Sequence, residues 1–286
     1  SDLRLSEDSV VLLTGGARGI TARVAVALAR RWACRVELVG RSALPEGEEP
    51  PELAACGDRT ALRAALVRAG QRDPKAIERE CDRILAGREV AGTLAALRDV
   101  GSGVTYHQVD VRDAEALTAV VQGIYERHGR LDGIVHGAGV LDDHFIADKT
   151  PEAFERVFAT KVDAARTLVT AVRRATAEGG HAPPAFVAFF GSIAGVCGNR
   201  GQADYAAAND ALDAMAATNA DLAGRVFAVD WGPWSTEAGM VDDALARLFE
   251  AGGMGLIQVD DGTGVLLDEI SAAAAGAAPP ARVTVA

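Results

Sequence analysis

The chain has 286 residues, of which 49% are hydrophobic, and its formal net charge at pH 7 is −11. This length and composition allow one sizeable core, whereas the negative charge argues against general nucleic-acid binding and no apolar run is long enough for a membrane span. The four cysteines (Cys34, Cys56, Cys81 and Cys197) are scattered, which favours reduced thiols in a cytoplasmic protein over a disulfide framework or a metal site.

Short apolar strands alternate with helices along the chain. Strands are predicted at residues 10–14, 35–41, 104–109, 133–136, 185–190, 225–229 and 282–285. Helices are predicted at residues 19–32, 59–69, 74–100, 113–128, 151–177 and 203–222. This rhythm predicts an α/β fold, a Rossmann-like doubly wound parallel sheet of about seven strands with helices on both faces.

One segment interrupts the rhythm, the stretch 42–101 between the second and third predicted strands. It holds about sixty residues where a doubly wound fold needs one helix and two short loops. We expect a helical insertion within a single domain that comprises residues 1–286. Two interpretations of the insertion stay open, a segment packed on the edge of the fold and a docking surface for a neighbouring domain.

A glycine-rich loop joins the first strand to the first helix. Glycines at such a junction let the backbone approach a pyrophosphate, and the helix N-terminus supplies free N–H groups and a partial positive charge. The position between a strand and a helix favours a dinucleotide site over a simple tight turn. The loop residues assigned to the cofactor are Thr14, Gly15, Gly16, Arg18, Gly19 and Ile20.

The second strand ends at Arg41 and Ser42, which indicate the type of cofactor. An NAD site usually has a carboxylate here for the ribose 2′-hydroxyl, whereas a basic residue accommodates a 2′-phosphate. Arg18 is within reach of the same phosphate, and a planar guanidinium suits it. The sequence therefore favours NADPH.

Further cofactor contacts are predicted where the third and fourth strands end. A carboxylate after the third strand can accept a hydrogen bond from the adenine amino group, and glycines after the fourth let the backbone pass the nicotinamide ribose. His136 is interpreted as a packed or hydrogen-bonded histidine. The residues assigned here are Asp110, Val111, Gly137, Ala138 and Gly139.

Ser192, Tyr205 and Asn209 form the candidate catalytic group. Ser192 follows the fifth strand, and Tyr205 and Asn209 are four residues apart, so they share one face of a helix. Tyr205 stands among alanines, where a core aromatic would be unusual. A phenol held beside a serine hydroxyl can protonate a carbonyl oxygen while a hydride reaches its carbon.

Together these motifs resemble the short-chain dehydrogenase/reductase superfamily across nearly the whole chain. Most members carry Tyr-x-x-x-Lys on the catalytic helix and an asparagine on the preceding long helix, whereas here Asn209 follows Tyr205 and Lys161 lies on the preceding helix. This exchange, and the motif Trp231-Gly-Pro-Trp234, resemble the ketoreductase domains of polyketide and fatty acid megasynthases. The insertion is most similar to that of iterative enediyne and polyunsaturated fatty acid synthases.

The resemblance implies NADPH-dependent reduction of a 3-oxoacyl thioester on an acyl carrier protein, with neighbouring megasynthase domains as further partners. Tyr205 would donate the proton, Ser192 would hydrogen-bond the same oxygen, and Asn209 would support Lys161 or a relay water. Lys161 would hold the nicotinamide ribose and lower the pKa of the tyrosine, because an ammonium favours the charged phenolate. Pro233 is also assigned to the cofactor.

Leu141, Asp142 and Asp143 follow the fourth strand and form the Leu-Asp-Asp loop. In ketoreductases this motif accompanies a D-configured, usually 3R, alcohol, and the resemblance implies that product here. The opposite type carries a tryptophan at the position of Cys197, eight residues before Tyr205. The absence of that tryptophan supports the D assignment.

Residues 233–256 are assigned to a substrate lid, with Trp234 and Met240 as acyl-chain contacts, and a place for these apolar side chains in the core stays an open alternative. Two other functions stay open. A free-standing reductase of a small ketone would act without a carrier protein, and a catalytically silent megasynthase domain would be expected to lack part of the Ser, Tyr, Lys and Asn set. A sugar-nucleotide epimerase is a poor third alternative, because that branch retains Tyr-x-x-x-Lys.

Overall fold

The computed structural model describes residues 5–45, 47–236, 255–272 and 280–286, with the single residues 247, 249 and 253. Within these ranges, seven strands form one parallel sheet in the order β3-β2-β1-β4-β5-β6-β7. The strands are β1 (Val10–Thr14), β2 (Arg35–Gly40), β3 (Val104–Gln108), β4 (Gly133–His136), β5 (Phe186–Ser192), β6 (Arg225–Trp231) and β7 (Arg282–Val285). The predicted Rossmann-like sheet is confirmed.

Helices cover both faces of this sheet. They are α1 (Gly19–Trp32), α2 (Pro51–Ala54), α3 (Arg59–Arg68), α4 (Pro74–Asp99), α5 (Ala114–His128), α6 (Pro151–Phe158), α7 (Ala164–Gly179), α8 (Ile193–Cys197), α9 (Ala203–Thr218) and α10 (Val259–Ala272). Residues of α1, α4 and α10 share one hydrophobic core with the sheet, and residues of α5, α7 and α9 share the other.

The sequence of β1 shows why the sheet is buried on both sides. Val11 and Leu13 point into the first core, and Val10 and Leu12 point into the second, because successive side chains of a strand face opposite ways. A strand covered on both faces is therefore continuously apolar rather than alternating. Each such buried side chain contributes about 1.5–3 kcal/mol relative to an exposed one.

The helix predicted at residues 151–177 differs from expectation, because a π-helical segment, Ala159–Asp163, separates α6 from α7. Helix α6 packs against α9, and α7 packs against α5. Lys161 lies in the middle of the π segment. Other departures from the prediction are smaller: β5 and β6 each run two residues further, α9 ends at Thr218, and α2, α8 and α10 were not expected.

The insertion holds three helices, α2, α3 and α4. Helix α3 and the first half of α4 form a small separate core with Cys56, whereas the second half of α4 joins the main core through Val90, Leu94 and Leu97. The second half of α4 therefore packs beside α1. Both interpretations of the insertion, an edge segment and a docking surface, stay predictions.

The described ranges contain no helix with the length and hydropathy of a membrane span. The same ranges contain no cluster of histidine, cysteine or acidic side chains able to hold a metal ion. All four cysteines lie in the described ranges and carry free thiols. A cytoplasmic location stays a prediction.

Candidate active site

The carboxyl ends of β1 and β4 lie side by side where the strand order reverses, which is the position at which open α/β sheets bind ligands. Thr14 is in register with His136. Gly15 has a φ of +72°, and a Cβ at this position would lie 3.0 Å from the backbone of Ala138. The glycine loop after β1 thus packs directly on the stretch 137–139 after β4, as a shared cofactor site requires.

His136 is a structural link between this loop and Lys161, the predicted catalytic lysine. Its Nε2 lies 2.8 Å from the carbonyl oxygen of Lys161, and its Nδ1 lies 2.7 Å from Thr14 Oγ1. Burial lowers the pKa of His136 to about 4, so the ring is neutral at pH 7. Since a carbonyl only accepts, Nε2 carries the proton and Nδ1 accepts from the threonine hydroxyl. The interpretation of His136 as a hydrogen-bonded histidine is confirmed.

The insertion contacts the glycine loop, which the sequence did not indicate. Glu89 of α4 accepts a hydrogen bond from the backbone N–H of Gly19 at 2.8 Å and from Arg18 Nε at 2.7 Å. Thr93 Oγ1 donates to the carbonyl of Ala17 at 3.0 Å. Arg18, the N-cap residue of α1, supplies no side-chain cap of its own, so the carboxylate of Glu89 meets the partial positive charge of this helix end.

The end of β2 presents the predicted 2′-phosphate residues. Arg41 is exposed, and the carbonyl of Ser42 accepts a hydrogen bond from the Tyr106 hydroxyl at 2.7 Å. Burial raises the pKa of Tyr106, and the charge of Arg18 opposes that increase. Arg18 and Arg41 therefore lie near the same edge of the sheet, where two guanidinium groups suit a phosphate.

Asp110 follows β3, and its carboxylate is paired with a neighbouring arginine. Arg112 Nη2 lies 2.6 Å from Asp110 Oδ2, and this hydrogen bond, with help from the charge of Arg41, holds the pKa of Asp110 below its ordinary value. The side chain of Val111 is buried in the second core. The paired glycine loops, the start of α1 and the two arginines fit a dinucleotide with an additional phosphate.

Lys161 is buried, with 4% of its surface exposed. Its Nζ donates to the carbonyl of Phe190 at 2.7 Å and lies 5.3 Å from the ring centroid of Tyr205. Burial lowers the pKa of Lys161 to about 8, and the negative charge of Asp230 opposes that decrease. A Cβ at Gly139 would lie 3.1 Å from Lys161 Cε, so the predicted nicotinamide-side glycine also makes room for the lysine.

Ser192, Tyr205 and Asn209 meet where β5 ends and α9 begins. Ser192 is the N-cap of α8, and its Oγ accepts from the Ala194 N–H at 3.2 Å. Asn209 Nδ2 donates to the carbonyl of Tyr205 at 2.7 Å, while its buried Oδ1 has no hydrogen-bond partner among the described residues. The structure thus brings all four predicted catalytic side chains together, and Asn209 keeps one acceptor for a water or a ligand.

The pKa of Tyr205 lies above its ordinary value. Burial raises it, the side chains of Ser192 and Asn209 oppose the increase, and the charge of Asp143 adds to it. The phenol is therefore protonated at neutral pH, the state that a proton donor needs. The expected lowering of this pKa by Lys161 stays a prediction: its ammonium lies 5.3 Å from the Tyr205 ring centroid and donates to the carbonyl of Phe190.

The Leu-Asp-Asp loop is held by several polar contacts. The carboxylate of Asp142 pairs with Arg156 and with His144, and Asp143 Oδ2 accepts from Gln202 Nε2 at 3.0 Å. Leu141 is exposed. The loop therefore lies against the residues that precede α9, on the side of the site where Tyr205 is located.

A buried ion pair joins Lys149 to Asp204, with 2.6 Å between Nζ and Oδ2. Neither residue was predicted from the sequence to belong to the site. The available signal was weak: the chain has only three lysines, and Asp204 directly precedes Tyr205.

The assignment of Trp234 to the substrate lid is wrong in this structure. Its indole is 2% exposed and lies edge-on to Trp231, with 4.9 Å between ring centroids. A Cβ on Gly262 of α10 would lie 2.4 Å from the Trp234 ring, so the side chain fills the core between β6 and α10. The carbonyl of Pro233 accepts from the Ile257 N–H at 2.8 Å. Met240 lies outside the described residues.

A cluster of charged residues that was not predicted from the sequence, Asp213, Asp230 and Arg282, lies close enough to Lys161 for Asp230 to affect its pKa. Asp230 of β6 is fully buried beside Asp213 of α9, and the Arg282 guanidinium lies 3.7 Å from Asp213 and 3.9 Å from Asp230. Burial, and then the charge of Asp213, raise the pKa of Asp230 to about 7. The Asp230 carboxyl therefore titrates near neutral pH.

Comparisons with known proteins agree with this geometry. A polyunsaturated fatty acid synthase protein of Thraustochytrium sp. is 32% identical over 271 residues, covering 91% of this chain and 9% of that protein. The polyketide synthase GfsA of Streptomyces halstedii is 34% identical over 232 residues, covering 81% of this chain and 2% of that protein. The chain thus spans less than a tenth of either relative.

A solved structure agrees as well. The ketoreductase domain from the bacillaene assembly line superposes with a TM-score of 0.72 at 29% identity, covering 98% of this chain and 56% of that one. The family model of the KR domain matches residues 9–236. The chain therefore belongs to the ketoreductase (KR) domain family, oxidoreductases of the short-chain dehydrogenase/reductase superfamily, as its motifs predicted.

Proposed function

We propose that this domain reduces a 3-oxoacyl thioester, carried on an acyl carrier protein, to the D-configured (3R) 3-hydroxyacyl thioester with NADPH. The domain would act as one part of a polyketide or polyunsaturated fatty acid synthase. The observation that carries the proposal is the meeting of Lys161, Ser192, Tyr205 and Asn209 beside the paired glycine loops.

Residues of the first half of the fold would hold the cofactor. The start of α1 would bind the pyrophosphate, Arg18 and Arg41 would bind the 2′-phosphate, and Lys161 would hold the nicotinamide ribose. When bound, NADPH supplies the hydride. Glu89 would have to share Arg18 with the phosphate, because its carboxylate now pairs with that guanidinium.

The catalytic side chains would handle the charge that develops on the substrate oxygen. Tyr205 would donate its proton to that oxygen, and Ser192 would hydrogen-bond it. Such general-acid help contributes about 10²–10⁴-fold to a rate. The buried ammonium of Lys161, 5.3 Å from the Tyr205 ring, would stabilise the phenolate left after the transfer, since opposite charges attract strongly in a dry site.

The surroundings of the Leu-Asp-Asp loop support an acyl substrate. Leu141, Phe145 and Ile146 of this stretch and Val196 of α8 are exposed large apolar side chains. The first three belong to the loop that Gln202 holds beside the start of α9, and Val196 lies four residues after Ser192, so an acyl chain would find apolar contacts there. The D configuration is proposed from the Leu-Asp-Asp motif together with Cys197 at the position of the missing tryptophan.

The test follows NADPH oxidation with an acetoacetyl thioester of a short pantetheine mimic, beside NADH and beside an unlinked ketone. Tyr205→Phe should lose about 10²-fold or more of the turnover while it still binds NADPH. The matched control is Tyr125→Phe, because Tyr125 is a buried core tyrosine whose hydroxyl has no partner among the described residues, so its removal should cost little.

The outcomes separate the alternatives. Turnover that requires NADPH and Tyr205, with a 3R alcohol by chiral chromatography, supports the proposal. Preference for an unlinked ketone would favour a free-standing reductase. Tight NADPH binding without turnover on any 3-oxoacyl thioester would contradict the catalytic role and favour a silent domain.

A further inference from the structure

The ion pair between Lys149 and Asp204 is as buried as the catalytic lysine. Its side chains are 5% and 1% exposed, and Nζ lies 2.6 Å from Oδ2. Lys149 belongs to the segment between β4 and α6, and Asp204 belongs to the first turn of α9. The pair thus joins the loop that borders the substrate side to the helix that carries Tyr205.

Each partner makes a second contact that extends the link. Lys149 Nζ also donates to the carbonyl of Asp142 at 2.7 Å, and Asp204 Oδ1 accepts from the backbone N–H of Tyr205 at 2.9 Å. A continuous series of three polar contacts therefore connects the backbone of the Leu-Asp-Asp loop to the backbone of Tyr205.

Two further contacts lie beside this series. Gln202 Nε2 donates to Asp143 Oδ2 at 3.0 Å, and the His144 N–H donates to the carbonyl of Gly201 at 3.0 Å. The loop is consequently docked along the whole turn that leads into α9. The buried pair is the charged centre of this contact.

The chemistry of a buried pair argues for orientation rather than stability. Removing two charges from water is costly, and a pair of apolar side chains of similar volume stabilises a fold at least as well. What the ion pair adds is direction, since two charge-assisted contacts hold both partners in one geometry. Misplacement of a reacting group by about 1 Å can cost about 10²-fold in rate.

We infer that Lys149 and Asp204 are positioning residues, which fix the Leu-Asp-Asp loop relative to the Tyr205 hydroxyl and so determine which face of the ketone is reduced. The inference rests on the proposed ketoreductase function. Neither residue touches the reacting atoms. Both act through Tyr205 and through the loop.

The experiment compares Lys149→Met with the double variant Lys149→Met/Asp204→Asn. The single variant leaves the Asp204 carboxylate buried without its partner, so it should be destabilised. The double variant removes both charges, and the asparagine keeps an acceptor for the Tyr205 N–H. Its Tm should therefore return toward that of the parent. The control replaces Arg174 and Glu178, an exposed ion pair on α7, with methionines. This change should leave Tm, kcat and the enantiomer ratio at the parent's values.

Rates are divided by the concentration of NADPH-binding sites, so that partial unfolding does not imitate a loss of turnover. We expect kcat to fall about tenfold or more in both variants, with the dissociation constant of NADPH unchanged. We also expect the minor 3S alcohol to increase in both. A structural role alone would predict that the double variant recovers kcat and enantiomeric purity together with its Tm.

The inference is overturned if the double variant shows the parent's kcat and enantiomer ratio, whether or not the single variant does. This result is distinct from failure of the proposed function, in which the parent itself binds NADPH and reduces no 3-oxoacyl thioester.

Discussion

Two buried lysines flank the catalytic helix, and their partners differ. The side chain of Lys149 is 5% exposed and its Nζ lies 2.6 Å from the Asp204 carboxylate, whereas Lys161 as a whole residue is 4% exposed and donates to the carbonyl of Phe190. The charge of Lys149 is neutralised where it stands. Among the described residues, a more distant attraction to Asp230 opposes the effect of burial on Lys161, and its pKa falls to about 8. Lys149 is thus suited to a structural role, and Lys161 is suited to bind a ligand.

We expect the largest effect on turnover when the charge of Lys161 is removed. Lys161→Met should reduce turnover by about 10²-fold or more, because the phenolate of Tyr205 would form in a buried site without its cation. Lys75→Met is the matched control, since Lys75 is the third lysine of the chain and is exposed on α4. Steady-state kinetics with the thioester substrate measure both. Parent-like turnover of Lys161→Met would remove this lysine from the catalytic group.

A smaller loss is expected when Lys161 is displaced rather than removed. Gly139→Ala would place a Cβ 3.1 Å from Lys161 Cε and 3.7 Å from Nζ, so the lysine must shift by a few tenths of an ångström. We expect kcat to fall about tenfold. Gly92→Ala is the control: it lies in α4 with no atom within 4 Å of the new Cβ, and it should raise stability by up to about 1 kcal/mol. Equal kcat in the two variants would show that Lys161 tolerates displacement.

The smallest effect concerns the carboxyl behind Lys161. The pKa of Asp230 is about 7 in the folded protein, above its ordinary 3.8. The native carboxyl therefore keeps a proton that the unfolded chain releases between about pH 4 and pH 7, so the free energy of unfolding falls as pH rises through this window. The Asp230→Asn variant does not undergo this decrease in the free energy of unfolding. The difference between its Tm and that of the parent should therefore be larger at pH 8 than at pH 5.

Other groups face Asp230, and they limit the size of this change. Asp213, whose own pKa is raised by burial, stays in the variant, as do Arg282 and Lys161. Some pH dependence should therefore remain. Differential scanning fluorimetry across the pH range measures it, and a constant Tm difference from pH 5 to pH 8 would contradict the raised pKa.

The sheet was predictable from the sequence because its central strands are short apolar runs bounded by glycine or polar residues. β1, β4 and β7 match the predicted bounds. The catalytic set was predictable because its members occur in a recognisable order, and the structure brings Lys161, Ser192, Tyr205 and Asn209 together. Their roles stay proposals.

Features that depend on tertiary contacts were not predictable. The burial of Trp234 depends on α10, whose Gly262 admits the indole. The contact between Glu89 and the glycine loop joins residues 70 positions apart. The pKa of Tyr205 depends on its burial and on the side chains of Ser192, Asn209 and Asp143, and residue types alone do not contain that arrangement.

In the π segment at Ala159–Asp163, the number of residues is as important as their identity. An i→i+5 turn contains one residue more than an α-helical turn, so deleting one residue there would leave a regular helix. Every side chain beyond the deletion would then rotate by about 100°. Because α6 packs against α9 while α7 packs against α5, one of these contacts, or the approach of Lys161 to Tyr205, would be lost.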